Sequence, residues 1–293
     1  MEKRVVFRSG WLPWLLILPQ AVVILVFFFW PAAQAVFQSL QQQDAFGTSI
    51  EFVGFDNFRQ LIADPSYAAS FKTTAFFSVL VASIGISLAL MLAVFADRIV
   101  RGGMFYKTML ILPYAVAPSV AAVLWVFMFS PSLGVVSYAL GKFGIDWNHL
   151  LNSGQAMALI VMAAIWKQLS YNFLFFLAGL QSIPKSLIEA AAIDGAKPWR
   201  RFWTVQFPLL TPTTFFLLVI NVVYAFFDTF AIVDAATQGG PGQDTSILVY
   251  KVYHDGFKAM DLGGSAAQSV VLMVIVVALT VVQFRYVEKK VNY

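Results

Sequence analysis

The sequence predicts an all-α integral membrane protein with six transmembrane helices. Both termini are expected in the cytoplasm, with short cytoplasmic helices between the fourth and fifth spans. Three observations predict this: the composition, the length of the uncharged runs and the uneven placement of Lys and Arg. Of the 293 residues, 60% are hydrophobic and only 12% charged, and the mean hydropathy is +0.77. A soluble chain of this length needs more charge to cover its surface.

A spanning helix takes about 20 predominantly apolar residues. Uncharged runs of that length are Trp11–Gln43, Thr73–Ala96, Thr108–Gly141, Phe202–Phe227 and Leu262–Phe284. Leu150–Pro184 is a sixth, interrupted only by Lys167. Spans are therefore placed at about 12–40, 71–97, 104–129, 154–180, 207–231 and 264–286, within a single domain of residues 1–293. Runs this long exceed ordinary strands, and a membrane β-barrel would show alternating segments of roughly ten residues instead. Lys3, Arg4, Arg8 and the Ala33-Gln34-Ala35 stretch have the look of a signal peptide. The apolar run, however, is about twice the 7–15 residues of a signal core and holds Pro13, Pro19 and Pro31, so an uncleaved first span is expected.

Counting basic residues loop by loop sets the orientation. Thirteen fall on one side: Lys3, Arg4, Arg8, Arg98, Arg101, Lys107, Lys185, Lys197, Arg200, Arg201, Arg285, Lys289 and Lys290. The other side holds four, Arg59, Lys142, Lys251 and Lys258, alongside nine carboxylates between Asp44 and Asp261. The richer side is read as cytoplasmic, and the net charge of +4 reflects membrane orientation, with no nucleic-acid partner implied. The outer loops are 41–70, 130–153 and 232–265. With no cysteine in the chain, disulfides, thiolate metal sites and a cysteine nucleophile are excluded. His149 and His254 stand apart on loops without metal-ligand spacing, so no metal site is expected.

The segment 186–208 is a polar, basic interruption between two apolar runs. Ser186 three residues before Glu189 reads as a capping box that starts a short helix near Leu187. Gly195 can end that helix, and Pro198 suits the first turn of a second one over Trp199–Val205. Ala190, Ala191 and Ala192 keep the first helix slim enough to enter a groove. The plainer alternative is a self-capped helix with Arg200 and Arg201 beside lipid headgroups.

Charged groups inside spans are expensive, about 2.5–3.5 kcal/mol at the centre on insertion scales, so Lys167 and Asp228 each need a reason. Asn221, Tyr224 and Asp228 recur at i, i+3 and i+7, forming one polar stripe on the fifth helix. Lys167 and Tyr171, with Gln168 and Asn172 beside them, form another on the fourth. Two polar stripes suggest a substrate pathway of Lys167, Tyr171, Asn172, Asn221, Tyr224 and Asp228; an interhelical hydrogen-bond cluster is the alternative. The depths of Lys167 and Asp228 differ by about 10 Å, which argues against direct pairing. The Thr237–Gly242 stretch reads as a tight turn, its glycines permitting positive φ.

Glu189-Ala190-Ala191, then Gly195, then Val205-Gln206-Phe207-Pro208 closely resembles the EAA loop of ABC-importer permeases. Trp166-Lys167-Gln168, Tyr171-Asn172, Ala178 through Pro184 and Thr237 through Gly242 resemble the maltose-importer-like branch for carbohydrate uptake. Leu112 through Pro118, Asp146 through His149, Asn152 through Met157 and Tyr224 through Phe230 resemble the A-type permeases of glycerol-3-phosphate importers. Phe207 stands where the family's loop usually carries Leu.

The resemblance implies that the loop is a coupling device docked on an ATPase through Glu189, Ala190, Ala191, Asp194, Gly195, Arg200 and Arg201. It implies that Gly239, Gly240 and Pro241 face a periplasmic binding protein. The implied partners are a second homologous permease, an ATPase dimer, the binding protein and membrane lipids, in a bacterial inner membrane. The expected cargo is sn-glycerol 3-phosphate, with glycerophosphodiesters as a second class and a neutral sugar or oligosaccharide as the alternative.

No cofactor is expected on this chain, since the only Gly-Lys pair, Gly141-Lys142, is followed by Phe143 and no P-loop exists; ATP and Mg would sit on the partner. An ion-coupled secondary transporter would need its own coupling-ion site, usually in repeated halves, and no repeat is visible. An intramembrane enzyme would need a nucleophile–base or metal constellation, which Lys167 and Asp228 do not make.

Overall fold

The computed structural model describes residues 11–44, 48–97 and 103–287. Lys3, Arg4, Arg8, Arg98, Arg101, Lys289 and Lys290, used above for orientation, lie outside the described residues. The chain divides into two compact units, one of residues 1–63 with 252–271 and one of residues 64–251 with 272–293. Both are built almost wholly of helix.

In the first unit, α1 (Leu12–Gln38) carries no buried residue along its length. Its sequence is apolar all round, which suits a rod in hydrocarbon rather than a half-buried helix. Pro19 lies inside it and a wider, π-helical turn covers Leu25–Phe29. A small hairpin follows, β1 (Gln41–Gln43) pairing antiparallel with β2 (Ile50–Phe52). Then comes α2 (Asp56–Ala63), whose buried Asn57 donates its amide to the carbonyls of Ser39 and Gln41, at 2.9 Å each. One side chain thus satisfies two carbonyls at the end of the first span.

The second unit is organised around α3 (Pro65–Asp97) and α7 (Ser153–Ser182). On α3 the residues Ala82, Gly85, Ala89, Ala93 and Ala96 are all buried and recur every three or four positions. Such a small-residue stripe lets two backbones approach closely, the usual solution where lipid removes the hydrophobic drive. Into it pack Leu169, Phe173, Phe176, Leu177 and Leu180 of α7, together with Leu210 and Leu217. Two-thirds of the apolar stretch of α7 is buried, against one-third for α3. α7 is therefore the central helix of the unit.

The third expected span does not form one straight helix. α4 (Gly103–Ala115) and α5 (Pro118–Met128) meet at a 104° bend. Val116 and Ala117 are extended, with ψ of 132° and 143°. The cause is Pro118, which disfavours the helical region for Ala117 and has no N–H to continue the ladder. Among the described residues, five helices are long and apolar enough to cross a membrane, or six if the bent pair counts as one.

α6 (Val135–Lys142) precedes α7, which Asn152 caps by accepting the Gln155 N–H. After α7 come α8 (Lys185–Ile193), α9 (198–209), α10 (Thr211–Asp228) and α11 (Phe230–Ala236). α12 (Leu248–Tyr253) and α13 (Leu262–Arg285) complete the order. α12 is tied to α3 twice: Leu248 N–H donates to the buried Thr74 hydroxyl at 2.8 Å, and Lys251 reaches Ser66 at 2.9 Å and Asp64 at 3.6 Å. Burial alone would raise the Asp64 carboxyl, but hydrogen bonds from Ser66 and the Lys251 charge hold it below its ordinary value.

Candidate functional site

Three places hold the residues singled out in the sequence. The first is the polar loop between α7 and α10. Its first helix starts at Lys185, with Pro184 rather than Ser186 in the capping position and no side-chain cap. The expected Ser186–Glu189 capping box is therefore not formed. Pro184 is extended (ψ 126°) and its carbonyl already accepts from Leu187, so the helix begins two residues too early for Ser186 to cap it.

The end of α8 forms as expected. Gly195 takes φ +78°, Gly195 N–H donates to Ala192 and Ala196 N–H to Ala191, the paired bonds of a Schellman motif. Pro198 opens α9 at its first turn, and α9 then runs on past Val205 through a π-helical turn at Phe202–Gln206. Glu189, Ala190, Asp194, Gly195 and Arg200 are exposed, and Ala191 and Arg201 are partly so. Ile193 (86% exposed) and Trp199 (73%) stand out beside them. Two helices joined by a glycine elbow thus present small, charged and apolar groups on one knob. The sequence reading missed Ile193 and Trp199.

The second place is a cavity of about 380 Å³ lined by Tyr114, Pro118, Lys167, Gln168, Tyr171, Ile220, Tyr224 and Asp228. Lys167 donates to the Tyr114 carbonyl at 2.6 Å and lies 5.0 Å from the centre of the Tyr114 ring. That ring stacks on Tyr171 at 6.4 Å. Asp228 is exposed in the cavity and forms no ion pair with Lys167.

The two expected stripes divide. Asn172 and Asn221 are fully buried and exchange amide hydrogen bonds at 3.1 and 2.8 Å, with Asn221 also donating to Leu217 at 2.8 Å. Tyr224 is buried, its hydroxyl donating to the Ala164 carbonyl at 3.2 Å, while one side of it reaches the cavity. A π-helical turn over Tyr224–Asp228 widens α10 there and offsets Asp228 from the face of Asn221. Tyr114 and Pro118 were not singled out from sequence as pathway residues. The signal was present in Pro118, which deprives the carbonyl four residues earlier of its helical partner.

The third place is the turn after α11. Gln238, Gly239 and Gly242 have positive φ. The Thr245 hydroxyl lies 2.6 Å from the Gly240 carbonyl and 2.8 Å from the Thr237 hydroxyl. A Cβ on Gly239 would come within 2.8 Å of the Tyr250 ring, so close approach and backbone both require glycine there. Asp244 of the same turn is hydrogen-bonded to Ser153 at the start of α7. The turn is therefore a built structure, with Pro241 partly exposed on it.

Residues 82–293, which include all three places, match the family described as binding-protein-dependent transport system inner membrane component. The chain belongs to this family. It is thus a permease, an inner-membrane component of an ABC importer. Over 287 residues, 98% of each chain, the permease is 60% identical to the sn-glycerol-3-phosphate transport system permease protein UgpA of Yersinia pseudotuberculosis serotype I (strain IP32953). To UgpA of Agrobacterium fabrum (strain C58 / ATCC 33970) it is 62% identical over 289 residues, 99% of each.

Among solved structures it resembles a bacterial ABC transporter involved in the import of the acidic polysaccharide alginate (TM-score 0.80, 25% identity, 94% of this chain and 96% of that one). A second likeness, of fold alone, is to the alginate ABC transporter in complex with an alginate pentasaccharide-bound periplasmic protein (TM-score 0.81, 23% identity, 93% and 92% covered).

Proposed function

We propose that this permease is one of two homologous membrane subunits of an ATP-driven importer of sn-glycerol 3-phosphate, with glycerophosphodiesters as further cargo. The observation that carries the reading is identity near 60% over essentially the full length to permeases named for that substrate. In this reading both termini and the 186–208 knob face the cytoplasm. The permease itself catalyses no covalent change. ATP and Mg are held by a dimeric ATPase partner, which grips Glu189, Ala190, Ala191, Asp194, Gly195, Arg200 and Arg201. Exposed Ile193 and Trp199 add apolar area to the same grip. Closure of the ATPase then moves α8 and α9 as a rigid body and switches the pathway between sides.

A periplasmic binding protein delivers the solute against the 237–242 turn. The solute passes through the cavity of Lys167, Tyr171, Tyr224 and Asp228, where Lys167 supplies the positive charge for a phosphate. Nine carboxylates in the outer loops repel free anions, so capture outside belongs to the binding protein.

The test is uptake by proteoliposomes holding the permease with its co-purified partners and binding protein. Glycerol 3-phosphate should accumulate only with internal ATP, and maltose should not compete. Competition by maltose, or uptake driven by an ion gradient without ATP, would overturn the assignment.

A further inference from the structure

We infer that Lys167 is a positioning residue that ties the bend of the third span to the cavity, and that an anionic ligand draws it away. The inference rests on the importer reading above and adds to it how cargo is sensed. In a continuous helix the Tyr114 carbonyl would accept from the N–H four residues later, which is residue 118. Residue 118 is proline, so that donor does not exist. The carbonyl is left at the end of α4, where Val116 and Ala117 are extended and the chain turns by 104°. Lys167 of α7 fills the gap, donating to it at 2.6 Å.

The same ammonium, Tyr114 and Pro118 all line the cavity. Lys167 is also the sole cation among the residues lining it. Its partner is a neutral carbonyl, whereas a phosphate adds a full opposite charge to the hydrogen bond. A phosphate entering the cavity therefore competes with Tyr114 for one donor. When it wins, the carbonyl loses its partner and the bend loses its hydrogen bond to α7, leaving the stacking of Tyr114 on Tyr171. Ligand occupancy and the bend are coupled through that shared ammonium, and such coupling is reciprocal.

The experiment uses the assembled importer with a nitroxide on Ala117→Cys, a position exposed at the bend. The permease has no cysteine of its own, so the label is unique within it once the partners' thiols are removed. With liganded binding protein and glycerol 3-phosphate, the label should become several-fold more mobile, and with glycerol it should not. In Lys167→Met the label should be mobile before any ligand is added, since losing a bond to a charged group shifts the equilibrium by roughly tenfold.

Lys167→Arg keeps the donor and should leave the resting spectrum unchanged. Co-purification of the partners shows that each variant folds. If the wild-type importer takes up glycerol 3-phosphate while the label stays unchanged or becomes less mobile, the inference is wrong and the transport reading stands. The same holds if Lys167→Met leaves the resting spectrum as it was. If the wild type takes up no glycerol 3-phosphate, the transport reading itself fails.

Discussion

Asn172 and Asn221 exchange two hydrogen bonds between α7 and α10 in a site with no solvent access. Interhelical bonds in membranes average about 0.6 kcal/mol and reach about 1–2. Removing one partner costs more, because the surviving amide is stranded, at about 1–3 kcal/mol. Asn221→Ala should therefore lower the melting temperature of the solubilised complex while leaving KM for the solute unchanged. Asp228→Asn should do the opposite, because its carboxylate is exposed in the cavity. A raised KM with unchanged melting temperature in Asn221→Ala would return Asn221 to the pathway. Periodicity in the sequence placed these polar residues on shared stripes, and it was right that each needed a reason. It could not say which member met an opposing amide and which met the cavity. That choice depends on the small-residue stripe of α3 at Gly85, beside the amides, and on the π-helical turn at Tyr224.

The elements that sequence placed least well are those where proline acts at a distance from its own position. Pro184 starts α8 ahead of the Ser186–Glu189 pair, and Pro118 breaks a run that composition alone reads as one span. Both prolines are plain in the sequence, but hydropathy does not register a missing N–H. The glycine elbow was legible, because a helix end followed by Gly has one common solution. At Gly195 no atom lies within 4 Å of where a Cβ would sit, so a substitution there acts first through the backbone. A non-glycine residue in that left-handed region costs about 1–2 kcal/mol. Transport by the assembled importer should fall in the order Gly, Asn, Ala, Val at this position, Asn being the side chain that best tolerates φ of +78°. Membrane insertion and the amount of permease should stay constant across the series. A Val variant with full uptake would show that the elbow's shape does not matter to coupling.

For the molecule as a whole, the proposed orientation rests on charge and on nothing in the helix packing. Of the thirteen basic residues counted on the richer side, Lys107, Lys185, Lys197, Arg200, Arg201 and Arg285 lie among the described residues. Near an anionic leaflet each contributes about 1 kcal/mol, so Lys185 and the three cations of the 186–208 knob carry much of that expectation. The fold class was legible because bilayer solvent demands long apolar helices, whereas the sidedness is an expectation from the count of Lys and Arg. The absence of cysteine makes the sidedness directly measurable. Single thiols at Thr48 and Gly144, exposed on two of the three loops read as outer, should react with a membrane-impermeant maleimide in intact spheroplasts. A thiol at Lys197, exposed on the knob, should react only after the membrane is permeabilised. If Lys197→Cys is labelled in intact spheroplasts while Thr48→Cys is protected, the knob lies outside, away from any ATPase, and cannot act as its docking element.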